Sequence, residues 1–274
     1  MCRAPNVSES GFHAWRVRPP SARGRENARL EIEMLAAHQR TRQTYSAERL
    51  HSDLADHGVM TTPYRVRKLR KKLGIRCKQK RKFRVTTDSK HNLPVAPNVL
   101  KREFTVNAPN KAWVSDITYI HTDEGWLYLA GLKDLFNGEL IGYAMSERMT
   151  KNLVMQALFR ATASKRPTRG LILHSDRGSQ YCAHDYQQVL LQFGMIASMS
   201  RKGDCWDNAP MESFWGTLKN ELVHHRRFRT RQQAIQEITE YIEVFYNRQR
   251  KQARLGYLSP AAFTQRYNAT LLAA

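Results

Sequence analysis

Three carboxylates and one lysine stand out for chemistry. Asp116 interrupts the apolar run AWVSDITYI, Asp176 closes a second apolar run in LILHSDRGSQY, and Glu212 opens the aromatic stretch APMESFWGTLKNEL, with Lys219 seven residues further on. Seven residues is close to two helical turns, so Glu212 and Lys219 share one face of a helix. An acid in a first turn is also what the helix dipole favours, by about 0.3–1 kcal/mol. In open α/β sheets ligands bind beyond the carboxyl ends of strands, where Asp176 falls. Three carboxylates converging on one spot repel strongly unless cations neutralise them. Such oxygen donors suit Mg²⁺, with Mn²⁺ as a substitute. Two such ions about 3.5–4 Å apart activate an attacking oxygen and stabilise a leaving oxygen in phosphoryl transfer. Asp134, Asp207 and Glu221 are competing carboxylates, so residue type alone does not select the trio. Asp207 and Asn208 are left open between capping the Glu212 helix and shaping the site.

The elements that must position these groups can be read from hydrophobic period. AWVSDITYI, GWLYLAGLKDLF and ELIGYAMS are strands rich in β-branched and aromatic residues, with Asn137–Gly138 suggesting a hairpin turn between the last two. TKNLVMQALFRATASK is a helix capped by Thr150, LILHSD a short buried strand, HDYQQVLLQFG a helix stopped by Gly194, and MIASMS a fifth strand. The Glu212 helix follows, then a long helix from about Arg231 to Asn247 with Ile235, Ile238 and Ile242 on one face. The order βββ-α-β-α-β-α-α predicts an α/β fold with a mixed sheet and helices on both faces.

The chain of 274 residues carries 45 basic and 24 acidic side chains, a net charge of +21. That excess points to a polyanionic partner, nucleic acid before an anionic membrane. No apolar run is long enough to span a bilayer, and the polar, Arg-rich start has no apolar signal core. Cys2, Cys77, Cys182 and Cys205 form no CxxC pair and read as reduced thiols of an intracellular protein. Neither they nor the histidines have zinc-site spacing.

The charge is concentrated early: residues 1–110 hold 24 basic and 9 acidic residues, a net of +15. Twelve of the twenty positions in RVRKLRKKLGIRCKQKRKFR, residues 65–84, are Lys or Arg. The run begins on a patterned helix. Thr62 caps it, Pro63 suits its first position, Val66, Leu69 and Leu73 form the apolar face, and Gly74 stops it. Before it, Ser46 caps a helix with Leu50 and Leu54 as its stripe and Gly58 at its end. ENARLEIEMLAAHQR, residues 26–40, reads as a preceding helix. Together these predict a small all-α helix-turn-helix domain over 26–84 in which Arg65, Arg67, Lys68, Arg70, Lys71 and Lys72 contact DNA. Residues 1–25 read as a remnant segment, 85–110 as a proline-containing linker, 111–227 as the catalytic core, and 228–274 as a C-terminal helix and tail.

The motifs together resemble a known family, the DDE-type insertion-sequence transposases, in the branch whose catalytic core is similar to retroviral integrases. The family signature is an Asp in W-x-x-D-I-T-Y and a second in H-[ST]-D-[RH]-G-x-Q-Y. A Glu follows after 35 intervening residues, and a basic residue seven beyond it. WVSDITY supplies Asp116, HSDRGSQY supplies Asp176, 35 residues separate Asp176 from Glu212, and Lys219 takes the basic position. The tail YNRQRKQARLGYLSPAAF resembles the family's closing motif, with Gln252 where a His is usual. The resemblance implies a ribonuclease-H-like fold with a mixed five-stranded sheet, and Asp116, Asp176 and Glu212 as catalytic ligands of two Mg²⁺ ions. Lys219 would contact DNA. It implies metal-dependent DNA cleavage and strand transfer by transesterification, with element ends and target DNA as partners and a homo-oligomer assembled on them. It also implies the downstream (OrfB-like) product of two overlapping frames, with an upstream-frame protein as fusion or partner. The opening MCRAPNVSESGFHAW looks like the end of an upstream helix-turn-helix. The zinc-binding module of retroviral integrases is absent. The expected location is cytoplasmic and nucleoid-associated. Two further readings stay open: a non-catalytic DNA-binding regulator of transposition, and a nuclease acting only by hydrolysis. Trp206 and Trp215 are weighed between stacking on unpaired bases and packing in the core, with core favoured for Trp215.

Overall fold

A computed structural model describes residues 8–78 and 93–273. The chain divides into two compact units, residues 1–77 and 78–274.

The first unit is helical: α1 (Glu9–Val17), α2 (Ala22–Arg40), α3 (Ala47–Asp56) and α4 (Pro63–Lys72). α2 begins at Ala22, earlier than the apolar period suggests, because Ser21 accepts a hydrogen bond from the Gly24 amide and caps it there. Leu30, Met34, Leu50, Leu54, Val66 and Leu69 are buried together with Tyr45. Thr62 caps α4 as expected, accepting from the Arg65 amide, with Pro63 at the first position. Ser46 stands at the cap of α3 but its side chain makes no capping bond. Leu73 is the C-cap of α4 and half-buried, so it adds little to the apolar face. Gly58 and Gly74 follow their helices at φ 75° and 63°, the left-handed conformation glycine tolerates. Residues 79–84 of the basic run and 85–92 of the expected linker lie outside the described residues.

The second unit is built on five strands: β1 (Ala112–Thr122), β2 (Gly125–Asp134), β3 (Leu140–Ser146), β4 (Ile172–Ser175) and β5 (Ile196–Met199). Their order in the sheet is β3-β2-β1-β4-β5. β1, β2 and β3 are antiparallel neighbours, whereas β4 and β5 run parallel to β1. Asp134 to Glu139 form a longer turn than the two-residue hairpin expected, closed by Gly138 N donating to Asp134 O at 2.8 Å. α5 (Lys151–Lys165) lies against β3 so closely that a Cβ on Gly142 would come within 2.5 Å of the Ala157 carbonyl oxygen. Thr150 precedes α5 without a side-chain capping bond. α5, α6 (Ser179–Cys182) and α7 (His184–Gln192) share one apolar core with Trp113, Ala130, Leu132 and Leu173 of the sheet.

α8 (Ala209–Glu221) packs through buried Met211, Phe214, Trp215 and Leu218. α9 (Arg231–Glu240) does not continue as an α-helix to Asn247. It widens into a π-helix over Tyr241–Gln249, whose Tyr241, Ile242, Phe245 and Tyr246 are buried. Ile238 and Ile242 are buried and Ile235 is partly exposed. A last helix, α10 (Pro260–Leu272), had no counterpart in the sequence reading. Ser259 caps it by accepting from the Ala262 amide.

The described part of the expected linker is a strap on the sheet. Val99 and Leu100 donate their amides to Ser198 Oγ at 2.9 and 3.1 Å, and Leu100 is buried. No helix of the described residues is long and apolar enough to cross a membrane.

Candidate active site

The pleat of β1 assigns successive side chains to opposite faces. Ser115 meets Tyr181 of α6 on one face, hydroxyl to hydroxyl at 3.0 Å, and Asp116 turns to α8 on the other. Asp116 Oδ1 accepts from the Ile117 amide at 2.8 Å and Oδ2 from the Trp215 indole at 3.0 Å. Opposite Asp116 on β2 is Gly131, and a Cβ there would lie 3.0 Å from Trp215 Cη2 and 3.2 Å from Leu140 Cδ1. The glycine therefore leaves the space the indole fills.

Asp176 follows the last residue of β4. Its Oδ1 accepts from the Gly178 amide at 2.9 Å, an Asx turn that sets the carboxylate. His174, two residues earlier, is buried between Ser198 Oγ at 2.8 Å and Ser200 Oγ at 3.2 Å. Burial pushes its pKa down to about 4, so near neutrality it is an uncharged tie between β4 and β5.

Glu212 sits in the first turn of α8 on its open side. That turn is held from below at two points. Lys133 Nζ donates to the Pro210 carbonyl at 3.0 Å, and Asn208 Nδ2 donates to Ser115 O at 3.1 Å.

The charges of these groups act on one another. Burial first, then the facing Asp176 and more weakly Glu212, drive the Asp116 carboxyl well above its usual value. The Ile117 and Trp215 hydrogen bonds oppose that rise. Glu212 is raised by burial alone. Lys219 is pulled down by burial and partly restored by Asp116, and its ammonium rests over the Tyr119 ring, 4.8 Å from the centroid. Asp116, Asp176, Glu212 and Lys219 thus belong to one neighbourhood. Among the described residues no three Asp, Glu, His or Cys side chains are gathered closely enough to hold an ion as they stand. The donor set nevertheless fits a hard divalent cation, since all three candidate ligands are carboxylates.

The competing carboxylates have structural partners. Asp207 is fully buried and bridges Arg201, Arg102 and Asn98. These contacts, the Arg201 hydrogen bonds first, hold its pKa far below the usual carboxylate range. Glu221 pairs with Arg250 at 2.7 Å and accepts from Tyr241 Oη. Asp134 accepts the amides of Asn110 and Phe136. Neither Asp207 nor Asn208 caps α8 with its side chain: Asp207 is an anchor and Asn208 ties the helix to β1. Trp206 is exposed and Trp215 buried. Gln252 is buried, its backbone bonded to Leu258, Leu255 and Tyr257.

In the helical unit the expected DNA-contacting residues divide. Arg65 is bonded to Asn27 and Glu26, Arg67 to Glu48, Lys72 to Glu31, and Arg70 reaches Cys77 Sγ at 3.0 Å. Lys68 and Lys71 lie on the exposed side of α4 with Tyr64.

The strand order, with parallel β4 and β5 added to an antiparallel meander, is the ribonuclease-H-like arrangement, here with Asp116 within β1 and Asp176 just past the end of β4. Two stretches of the chain match the family description Integrase core domain, residues 106–205 and 212–267. Residues 25–83 match HTH-like domain. The chain is 57% identical over 98% of its length, and 98% of the relative's, to the 31 kDa protein of insertion element IS600 from Shigella sonnei. It is 40% identical over 96% of its length, and 92% of the relative's, to transposase InsF for insertion sequence IS3A from Escherichia coli K12. The chain belongs to the DDE-type insertion-sequence transposases. Among solved structures it resembles the HTLV-2 integrase catalytic core domain in complex with magnesium, at 15% identity and TM-score 0.44, over 56% of this chain and 94% of that one. It also resembles the catalytic core domain of BIV integrase, at 16% identity and TM-score 0.44, over 60% and 99%.

Proposed function

We propose that the chain is a DDE polynucleotidyl transferase that cleaves at the ends of its insertion element and joins them to target DNA by transesterification. The observation that carries this is the register of β1 and β4, whose parallel pair Val114–His174 lies two residues before Asp116 and Asp176, together with the charges of Asp176 and, more weakly, Glu212 acting on the Asp116 carboxyl. Such an arrangement is costly for a fold and useful for binding cations. Asp116, Asp176 and Glu212 would hold two Mg²⁺ ions, with Mn²⁺ as a substitute. When bound, the ions supply Lewis-acid activation of the attacking oxygen and stabilise the leaving one. The protein's own part is placement. β1, at the centre of the sheet, fixes Asp116; the Asx turn fixes Asp176; two bonds from the sheet fix the turn of α8 that bears Glu212. Lys219, on the Glu212 face, leaves the Tyr119 ring to hold a DNA phosphate. Water or a DNA 3′-hydroxyl is the attacking group, so no covalent enzyme intermediate forms.

The helical unit would make a second DNA contact, a reading supported by the match of residues 25–83 to an HTH-like domain, with Lys68 and Lys71 supplying phosphate contacts. Arg65, Arg67, Arg70 and Lys72 join them once DNA phosphates replace the partners they have here. A homo-oligomer on DNA and an upstream-frame partner complete the proposed assembly.

The test is strand joining. The protein is incubated with Mn²⁺, a pre-cleaved end of its element and target DNA, with Glu212→Gln as the control. Joined product from the wild type and none from the variant is expected. Joining that survives Glu212→Gln removes the site assignment. Salt-sensitive DNA binding without joining favours a regulator, and cutting without joining favours a hydrolytic nuclease.

A further inference from the structure

We propose that Trp215 is a positioning residue for Asp116: its indole N–H orients the carboxylate so that the free lone pairs of both oxygens face Asp176 and the cation site. This rests on the reading of Asp116 as a metal ligand and deepens it.

An ionised carboxylate has about four lone-pair positions. The Ile117 amide occupies one on Oδ1 and the Trp215 indole one on Oδ2, at 2.8 and 3.0 Å. One position on each oxygen is then left for a cation, and rotation about the Cβ–Cγ bond would break both hydrogen bonds. Partners of this kind, standing behind a ligating group, commonly change metal affinity 10–100-fold when removed.

Two features make the contact more than a buried tryptophan satisfying its N–H. Trp215 and Glu212 lie on the same helix, α8. The bond therefore couples the helix carrying the third carboxylate to the strand carrying the first. In addition, the indole's place is reserved by Gly131, the cross-strand neighbour of Asp116, where a Cβ would press on the ring at 3.0 Å. Phe214, on the same turn, serves packing instead: it meets Tyr246 edge-on with ring centroids 4.6 Å apart.

The experiment uses the full chain and Mn²⁺ alone, with free Mn²⁺ counted by electron paramagnetic resonance and folding followed by near-ultraviolet circular dichroism. Trp215→Phe keeps a ring and removes the donor. The expected result is a folded protein whose Mn²⁺ dissociation constant rises 10–100-fold. Asp116→Asn is expected to abolish binding at this site, and the double variant to show no loss beyond Asp116→Asn. A folded Trp215→Phe protein that binds Mn²⁺ like the wild type overturns the proposal, because a purely structural role would lower stability and leave that constant unmoved. Should Trp215→Phe not fold, Gly131→Ala, which displaces the ring without removing it, is read in the same way. If the wild type shows no Mn²⁺ binding that depends on Asp116, the carboxylate site itself is wrong and the role of Trp215 falls with it.

Discussion

The second unit holds two kinds of carboxylate, and the contrast between them marks out the candidate site. Asp207 and Glu221 are each matched to arginine, Asp207 to Arg201 and Arg102, Glu221 to Arg250. The Asp116 charge is instead resisted by burial, by Asp176 and, more weakly, by Glu212. The arginine-matched acids hold the fold together, whereas a charge on Asp116 works against it. The difference teaches that the candidate site is marked by acids whose charges oppose one another, rather than by burial alone.

The largest effect should come from Asp116→Asn. Joining is expected to fall by about a thousandfold or more, since a cation ligand is worth several kcal/mol in the transition state. Stability should move the other way. The folded pKa of Asp116 lies above its unfolded value, so its ionisation opposes folding as pH rises past about 3.9. In metal-free buffer the variant should therefore melt higher than the wild type at neutral pH and at the same temperature at pH 3. An unchanged melting temperature at pH 7 would break the comparison.

Lys133 tests it with the opposite sign of charge. Burial first, then the neighbouring Arg254 and Arg250, pull its pKa down to about 7, and its ammonium donates to the Pro210 carbonyl. Below pH 7 it is protonated in both states and the folded protein bears the whole cost of burying the charge. Between pH 7 and about 10.5 only the unfolded state holds the proton, so stability rises with pH. Lys133→Met should stabilise most at pH 6, on the order of 4 kcal/mol relative to its effect at pH 10, as read by urea unfolding at the two pH values.

Asp207→Asn should cost about 2 kcal/mol at pH 7. That is less than the ~3–5 kcal/mol for a fully buried pair, because Arg201 and Arg102 are partly in water. The folded pKa is depressed, so this stabilisation exists above the unfolded value of about 3.9 and fades as pH falls below it. Denaturant curves at pH 7 and pH 3 would show the difference shrinking. The smallest effect belongs to Glu48→Gln in the helical unit, where the Arg67 hydrogen bond lowers the Glu48 pKa. An exposed pair of this kind is worth under about 0.5 kcal/mol. Freeing Arg67 should nevertheless tighten DNA binding and steepen its salt dependence by about one counterion.

The sequence made the five strands and their succession along the chain legible, because strand period is local, and motif spacing singled out Asp116, Asp176 and Glu212 as the candidates; the sheet order depended on pairing between distant strands. What it left open depended on distant partners. Asp207 could not be assigned because Arg102 and Asn98 lie more than a hundred positions away in sequence. Arg65, Arg67 and Lys72 looked like free cations until Glu26, Glu48 and Glu31 of other helices closed on them. Trp215 was weighed between stacking and core, and its bond to Asp116 belongs to neither. The π-helical continuation of α9 has no signature in residue period, whereas α10 was announced by Ser259–Pro260 and went unread.

Asn247 has one more consequence. Its side-chain amide accepts from Leu140 N and donates to Leu140 O, both at 3.0 Å. β3 is an edge of the sheet, and an open edge is a template on which a strand from another molecule can pair. At Leu140 that template is already occupied: a single amide plays the part of a neighbouring strand one residue long. The tail motif thereby closes the start of this edge to strand addition.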